Sequence, residues 1–322
     1  MKNILIIQTA FIGDVILATP LISALHQQYP DAQISMLVRK GNETLVQFHP
    51  HVKEVLIWDK QAFKYGNLFR LIGKVKSRKY DWVINIQRFG ASGLLTWLSG
   101  AKQKSGFDKN PFSFCYTNKK AHQISNNQHE IQRNLSLIQE NPPLVRPEIF
   151  IPEKDKKAAE VFMNSPYVCI APASVWFTKQ FPVVGWVKLC DSLLTEQTIY
   201  LIGAPADAAL ADEIIKKTAH QKVISLCGKL NLLQSAALMA KATMNYVNDS
   251  APLHLASAMN APVKAVFCST VPEFGFGPVS DNSTIVETKI KLSCRPCGLH
   301  GYKACPEGHF KCATTITTEQ LL

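Results

Sequence analysis

Two short stretches carry side chains able to do chemistry. The first is the pair Gly13-Asp14, set in Ile4-Leu-Ile-Ile-Gln-Thr-Ala-Phe-Ile-Gly-Asp-Val-Ile-Leu-Ala-Thr-Pro20. A carboxylate here can take a proton from a hydroxyl, and the missing side chain of Gly13 lets a substrate approach the backbone. The plainer reading of Asp14 is an acid that stabilises the first turn of a helix. The second stretch is Asn248-Asp-Ser-Ala-Pro-Leu-His254. Backbone N–H groups at the start of a helix suit a phosphate, Ser250 adds a hydroxyl, and His254 lies on the first turn. Its plainer reading is a capped helix with a histidine facing the core. Ala173–Pro182 adds Ser174, Val175 and Lys179, whose ammonium can serve a diphosphate as a point charge or sit idle in a loop. Asp207, in Leu201–Asp207, either accepts from ribose hydroxyls or caps its own helix.

Each candidate needs a strand before it and a helix after it, and the apolar pattern supplies both. Ile4–Ile7 is an unbroken apolar run, as in a strand buried on both faces, and helical spacing follows through Val15, Ile16, Leu21, Ile22 and Leu25 to Tyr29-Pro30. Further strands are expected at 33–38, 52–58 and 82–86, with helices at about 68–79, 90–98 and 130–138. Residues 107–127 read as irregular. Asn141-Pro-Pro-Leu-Val-Arg-Pro147 holds three prolines in seven residues and reads as a linker. Beyond it strands are expected at 168–171, 198–202, 223–226, 244–247 and 263–268, alternating with helices at 183–194, 206–217, 232–240 and 252–259. The chain is thus expected to form two doubly wound α/β domains, 1–147 and 148–322, facing a cleft. The three turns after 168–171, 198–202 and 244–247 should lie along one sheet edge, and their convergence on a nucleotide diphosphate persuades more than any one of them.

Composition narrows the class. At 322 residues, 47% hydrophobic and 18% charged, the chain is globular, and no apolar run approaches the roughly 18 residues of a membrane span. The N-terminus runs straight into the first strand without the pattern of a signal peptide, so a cytoplasmic protein is expected. A G-x-G-x-x-G fingerprint is missing, which argues against a nicotinamide or flavin enzyme. The net charge of +11 suits a polyanionic partner. Lysines and arginines recur from Lys60 to Lys79, but without the compact basic and aromatic run of a nucleic-acid module. An anionic membrane surface or substrate fits better. Four of nine cysteines fall late, as Cys294-x-x-Cys297, then Cys305 after seven residues and Cys312 after six more. Such spacing can mean metal; a thiol-rich loop without a ligand is the expectation, because the second pair is wide.

With Phe-Ile-Gly-Asp-Val-Ile-Leu-Ala-Thr-Pro and Asp-Ser-Ala-Pro-Leu-His both in view, the chain resembles glycosyltransferase family 9, the ADP-heptose:lipopolysaccharide heptosyltransferases. Tyr80-Asp-Trp-Val-Ile-Asn85, Lys179-x-Phe-Pro-x-x-x-Trp186 and the run from Phe274 to Cys312 extend the likeness over nearly the whole chain. The resemblance implies a GT-B fold of two Rossmann-like domains, with the acceptor on the first and ADP-heptose on the second. It implies Asp14 as catalytic base beside Gly13, and Ser174, Val175 and Lys179 near the phosphates. It also places Asp249, Ser250, Ala251 and His254 on the nucleotide-sugar motif, where Ala251 replaces the usual glycine, with Asp207 a looser match. The expected reaction is inverting transfer of heptose to the inner core of lipopolysaccharide, without cofactor or metal. In that scheme the helix N-terminus lowers the pKa of Asp14. The alternatives are a member using another nucleotide sugar and a non-catalytic metal-binding protein of the same fold.

Overall fold

The computed structural model describes residues 1–60, 64–124 and 127–322. Part of the expected basic stretch (61–63) and of the irregular segment (125–126) lies outside the described residues. The chain divides into two units, Met1–Phe150 and Ile151–Leu322.

In the first unit, β1 (Asn3–Gln8), β2 (Gln33–Arg39), β3 (Val52–Trp58), β4 (Trp82–Asn85), β5 (Gln103–Phe107) and β6 (Asn118–Lys120) form a parallel sheet in the order β3-β2-β1-β4-β5-β6. Ile4 to Ile7 of β1 are fully buried, since neighbouring strands flank them and helices cover the sheet. Leu5 and Ile7 share a core with Leu37, Val83, Leu95 and Trp58. In the second unit, β7 (Tyr167–Ala171), β8 (Thr198–Leu201), β9 (Val223–Ser225), β10 (Met244–Asn248), β11 (Val263–Phe267) and β12 (Ser283–Glu287) pair in the order β12-β11-β10-β7-β8-β9, again parallel. Counted from its own first strand, this is the same arrangement as in the first unit. Its core gathers Val168, Ile170, Trp186, Leu189 and Val266. The strand order reverses between β1 and β4 and again between β7 and β10. Beyond the carboxyl ends at such a reversal the diverging loops leave room for a ligand.

Several local expectations need correcting. The first helix is two, Ile12–Ala18 and Pro20–Gln28. Pro20 has no N–H to continue the first, while at the head of the second that N–H is not needed. Thr19 fills the joint, its hydroxyl donating to Ile16 O at 2.8 Å and accepting from Glu148 N at 2.8 Å. Strands β5, β6 and β12 were not foreseen, nor was the helix Glu153–Glu160. Strands β5 and β6 and the helix are mostly polar, β12 has only Ile285 and Val286 as apolar residues, and β6 and β12 lie at sheet edges. Among the described residues no helix is long and apolar enough to cross a membrane.

Candidate active site

Asp14 is the third residue of helix Ile12–Ala18, one position after Gly13, just beyond the carboxyl end of β1. Its Oδ2 accepts the N–H of Phe11 at 3.2 Å, so it does cap its own turn. Its surroundings go further. Burial pushes the carboxyl up to about 6, and the nearby charge of Glu130 adds to the push. Both act against the backbone donors at Phe11 and Asp14 and against the charge of Arg88. The expected lowering by the helix N-terminus is therefore overturned, because losing water costs the carboxylate more than those N–H groups return.

Glu130 opens the helix Glu130–Leu135 and is buried. Burial alone would raise its pKa, but His122 and Arg133 outweigh that and hold it below the usual carboxylate range. Arg133 Nε donates to Glu130 Oε2 at 2.7 Å. The side-chain amide of Asn134 donates to Leu17 O at 3.3 Å and ties this helix to the one bearing Asp14.

The turn leading to Gly13 is held from three sides. Lys60 Nζ donates to Thr9 O at 2.8 Å and to Thr9 Oγ1 at 3.0 Å. Asn42 Nδ2 donates to Ala10 O at 3.0 Å, and Ala10 N to Gln8 Oε1 at 3.2 Å. Across the reversal point Gln87 Nε2 donates to Gln8 Oε1, and Asn110 Nδ2 holds Gln87 O and Phe89 O at 2.8 and 3.1 Å. Phe11 and Phe89 stay exposed, with the guanidinium groups of Arg39 and Arg88 over their rings at 5.6 and 5.9 Å. The carboxylate of Asp14 thus lies in a turn whose surroundings carry exposed aromatic rings and cationic side chains.

In the second unit, Lys179 ends the short turn Phe177–Lys179, and its Nζ lies 2.7 Å from Asp249 Oδ2. The hydroxyl of Thr270 donates to the same oxygen at 2.6 Å. Asp249 follows β10. Ser250 takes the N-cap position of helix Ala251–Ala258, with Pro252 second in the helix, where an N–H has no partner to lose. The Ser250 hydroxyl donates to Asn248 O at 3.3 Å instead of capping. Asn248 anchors the facing loop: its Nδ2 donates to Pro172 O at 2.7 Å and its Oδ1 accepts from Phe181 N at 2.9 Å. Within that loop Gln180 Nε2 holds Ser174 O at 2.6 Å, while Val175 is exposed.

Lys179, Asp249, Ser250 and Ala251 thus meet where β7 and β10 part, with Ser174 and Val175 in the adjoining loop. His254 is buried, its ring edge-on to Phe276 at 6.5 Å. Asp207 follows β8, one strand further out, and its Oδ2 accepts the N–H of Ala204 at 2.8 Å, as a cap does. Sequence reasoning missed Glu130, Arg88, Thr270 and the anchoring role of Asn248. Only Asn248 had a signal, as the first residue of the chosen stretch and a polar end to an apolar strand. The basic stretch is partly committed, since Lys74 and Arg78 lie 3.3 and 2.9 Å from Glu54 and Lys60 serves Thr9. The nine cysteines are free thiols, and among the described residues no three His, Cys, Asp or Glu side chains stand at metal-coordinating distances.

A sequence model described as Glycosyltransferase family 9 (heptosyltransferase) matches residues 68–303. Lipooligosaccharide heptosyltransferase 2 of Haemophilus influenzae is 24% identical over an alignment 307 residues long that covers 88% of each chain. The solved ADP-heptose lps heptosyltransferase II of Escherichia coli superposes with a TM-score of 0.83 at 20% identity, over 100% of this chain and 96% of that one. The Escherichia coli heptosyltransferase WaaC with ADP-2-deoxy-2-fluoro heptose superposes with a TM-score of 0.72 at 21% identity, over 99% and 98%. The paired six-stranded parallel sheets are those of the GT-B fold.

Proposed function

The chain belongs to glycosyltransferase family 9, the heptosyltransferases, and from that premise we propose that it carries heptose from ADP-heptose to the inner core of lipopolysaccharide, inverting the anomeric carbon. The observation that carries the reading is the half-enclosed carboxylate of Asp14, raised to about 6 at the carboxyl end of β1. An acceptor hydroxyl attacks the anomeric carbon as the bond to the ADP oxygen breaks, and ADP leaves with that electron pair. Asp14 takes the hydroxyl proton. At neutral pH it is mostly ionised, yet a better base than an ordinary aspartate, because its pKa lies closer to the working pH. In the second unit the charge of Lys179 and the N–H groups at the head of helix Ala251–Ala258 stabilise the diphosphate as its charge grows. No cofactor enters this scheme. The relative solved with an ADP-sugar analogue supports the choice of donor. A transfer assay with ADP-heptose and truncated lipopolysaccharide acceptors tests the reading, and transfer from UDP-sugars in place of ADP-heptose would overturn it.

The base has a pH signature. The single-turnover rate should rise about tenfold per pH unit below about 6 and level off above it, since only ionised Asp14 accepts a proton. Glu130→Gln removes a negative neighbour and should move the midpoint to lower pH. A midpoint that stays in place would show that Glu130 does not tune the base.

The acceptor is amphiphilic, so the reaction belongs at the cytoplasmic face of an anionic membrane. Exposed Trp97 and Phe114, in ring contact at 5.8 Å, and the exposed Arg39 beside Phe11 give the first unit apolar and cationic surface for that contact. Binding to anionic vesicles is expected to be weak and to fade with added salt, which shortens the reach of charges to roughly 8 Å at physiological ionic strength. Co-sedimentation at low salt reads it out, and no binding there would remove the membrane contact.

A further inference from the structure

The late cysteines lie outside the transfer scheme proposed above, yet they sit on the segment that holds Lys179. Residues 288–310 contain neither helix nor strand, a length well beyond the roughly 12–15 residues usual for an unsupported loop. Two tight turns organise them. In Cys294-Arg-Pro-Cys297-Gly298, the Cys297 N–H donates to Ser269 O at 2.9 Å, and Gly298 turns the chain at φ +72. In Cys305-Pro-Glu-Gly308, the Gly308 N–H closes onto Cys305 O at 3.1 Å, with Gly308 at φ +69. Cys312 follows in the short helix Lys311–Thr314. These turns bring the thiols together: those of Cys297 and Cys312 each lie within electrostatic reach of the other three. His309 Nε2 stands 3.9 Å from Cys294 Sγ, and the guanidinium of Arg295 lies near Cys297 and Cys312.

We propose that Cys294, Cys297, Cys305 and Cys312 form a tetrathiolate site for one thiophilic divalent metal ion, zinc or ferrous iron, and that this ion fixes the loop that positions Lys179. Two turns, each led by a cysteine and ended by a left-handed glycine, set the thiols in one neighbourhood, and four thiolates are a donor set that suits a tetrahedral ion. The four sulfurs do not stand at bonding distance of one point as they are, so binding would draw them in to about 2.3 Å from the ion. Each thiol gives its proton to solvent as it binds, and the ion offsets two of the four thiolate charges. Arg295 offsets part of the rest, and His309 stands beside Cys294 as a candidate hydrogen-bond partner of its sulfur.

The link to Lys179 is short. The loop returns at Tyr302, whose N–H donates to Thr178 Oγ1 at 2.7 Å and whose carbonyl accepts the Thr178 N–H at 3.1 Å. Gly301, at φ +76, packs so closely that an added Cβ would lie 2.9 Å from Thr178 Oγ1 and 3.1 Å from Lys179 Cγ. Arg295 donates to Cys268 O at 2.7 Å and to Thr270 O at 2.8 Å. Thr270 in turn holds Asp249, the partner of Lys179. Release of the ion should therefore loosen both members of that pair. This second half of the proposal rests on the reading of Lys179 as a diphosphate ligand; the metal site itself does not.

Elemental analysis of the full-length chain, purified under reducing conditions without a histidine tag, should give close to one zinc or iron per chain. Visible iron–thiolate absorption would identify iron, and a colourless protein zinc. Chelated protein titrated with cobalt(II) should develop thiolate-to-cobalt bands saturating at one equivalent. Cys297→Ser and Cys305→Ser should lose the ion. Absence of metal together with no cobalt bands in wild-type protein overturns the site, whether or not the variants fold. In calorimetry with ADP, removing the ion from wild-type protein should weaken binding about tenfold, within the usual range of coupled sites, and adding back zinc or ferrous iron should restore it. Equal ADP affinity with and without metal overturns the coupling. A wild type that binds metal but not ADP overturns it too, and the donor reading with it, while leaving the metal site standing.

Discussion

Asp14→Asn is expected to bind ADP-heptose almost normally and to lose roughly 10²–10⁴-fold in the single-turnover rate of transfer. Asparagine keeps the size of the side chain and can still accept the Phe11 N–H that Asp14 Oδ2 accepts at 3.2 Å, because asparagine caps a helix as well as aspartate does. What it cannot do is take a proton. The substitution therefore separates the two roles. A residue that only closes its turn would leave turnover near normal in the variant, and that result would remove Asp14 from the chemistry. Donor affinity and single-turnover rate, measured on one preparation, decide between them.

Lys179→Ala should act on both quantities. Its ammonium lies 2.7 Å from Asp249 Oδ2 in a nearly enclosed setting, with side-chain exposures of 16% and 8%. Deleting it would remove a cation from the proposed diphosphate site and leave the Asp249 carboxylate facing the same anion. Loss of one partner from such a pair costs about 3–5 kcal/mol. A fall in donor affinity of roughly 10²-fold, about 2.7 kcal/mol, is therefore expected, with a slower transfer step as well. Adding Asp249→Asn to Lys179→Ala should recover part of the affinity, because the uncompensated charge is gone. The double-mutant cycle measures that coupling. Donor affinity unchanged in Lys179→Ala, with only a lower melting temperature, would make the pair a structural brace.

Much of this architecture was legible because buried parallel strands advertise themselves. The runs that became β1, β2, β4, β7, β8, β10 and β11 are apolar, and helical spacing follows most of them. The strands that escaped notice obey other rules. Strand β5 reads Gln-Lys-Ser-Gly-Phe, and Gly106 is there because a Cβ would stand 2.4 Å from the Tyr116 ring. Strand β6, Asn-Lys-Lys, is a polar edge whose pairing no side-chain pattern reveals. The site divides in the same way. Asp14, Lys179 and Asp249 sit in local motifs and could be named. Glu130 is 116 positions from Asp14, and beside Arg133 it reads as an ordinary helical ion pair. Its effect on Asp14 comes only from tertiary packing, as does the grip of Thr270 on Asp249.

The raised pKa of Asp14 also acts on the stability of the fold. An unfolded aspartate ionises near 3.8, whereas this one ionises at about 6 in the native protein. Below pH 4 the group is protonated in both states and costs nothing. As pH rises from 4 to 6 the native state holds on to a proton that the unfolded chain has released, so stability falls, and above 6 the full penalty remains. At about 1.36 kcal/mol per pH unit, keeping this one charge costs the native state up to about 3 kcal/mol at neutral pH. Thermal melts of wild type and Asp14→Asn should nearly coincide near pH 4 and separate by pH 7.5, with the inactive variant melting higher. The organism would then be keeping a less durable protein for the sake of a reactive one, and a screen for heat resistance alone would select against the residue proposed as its base.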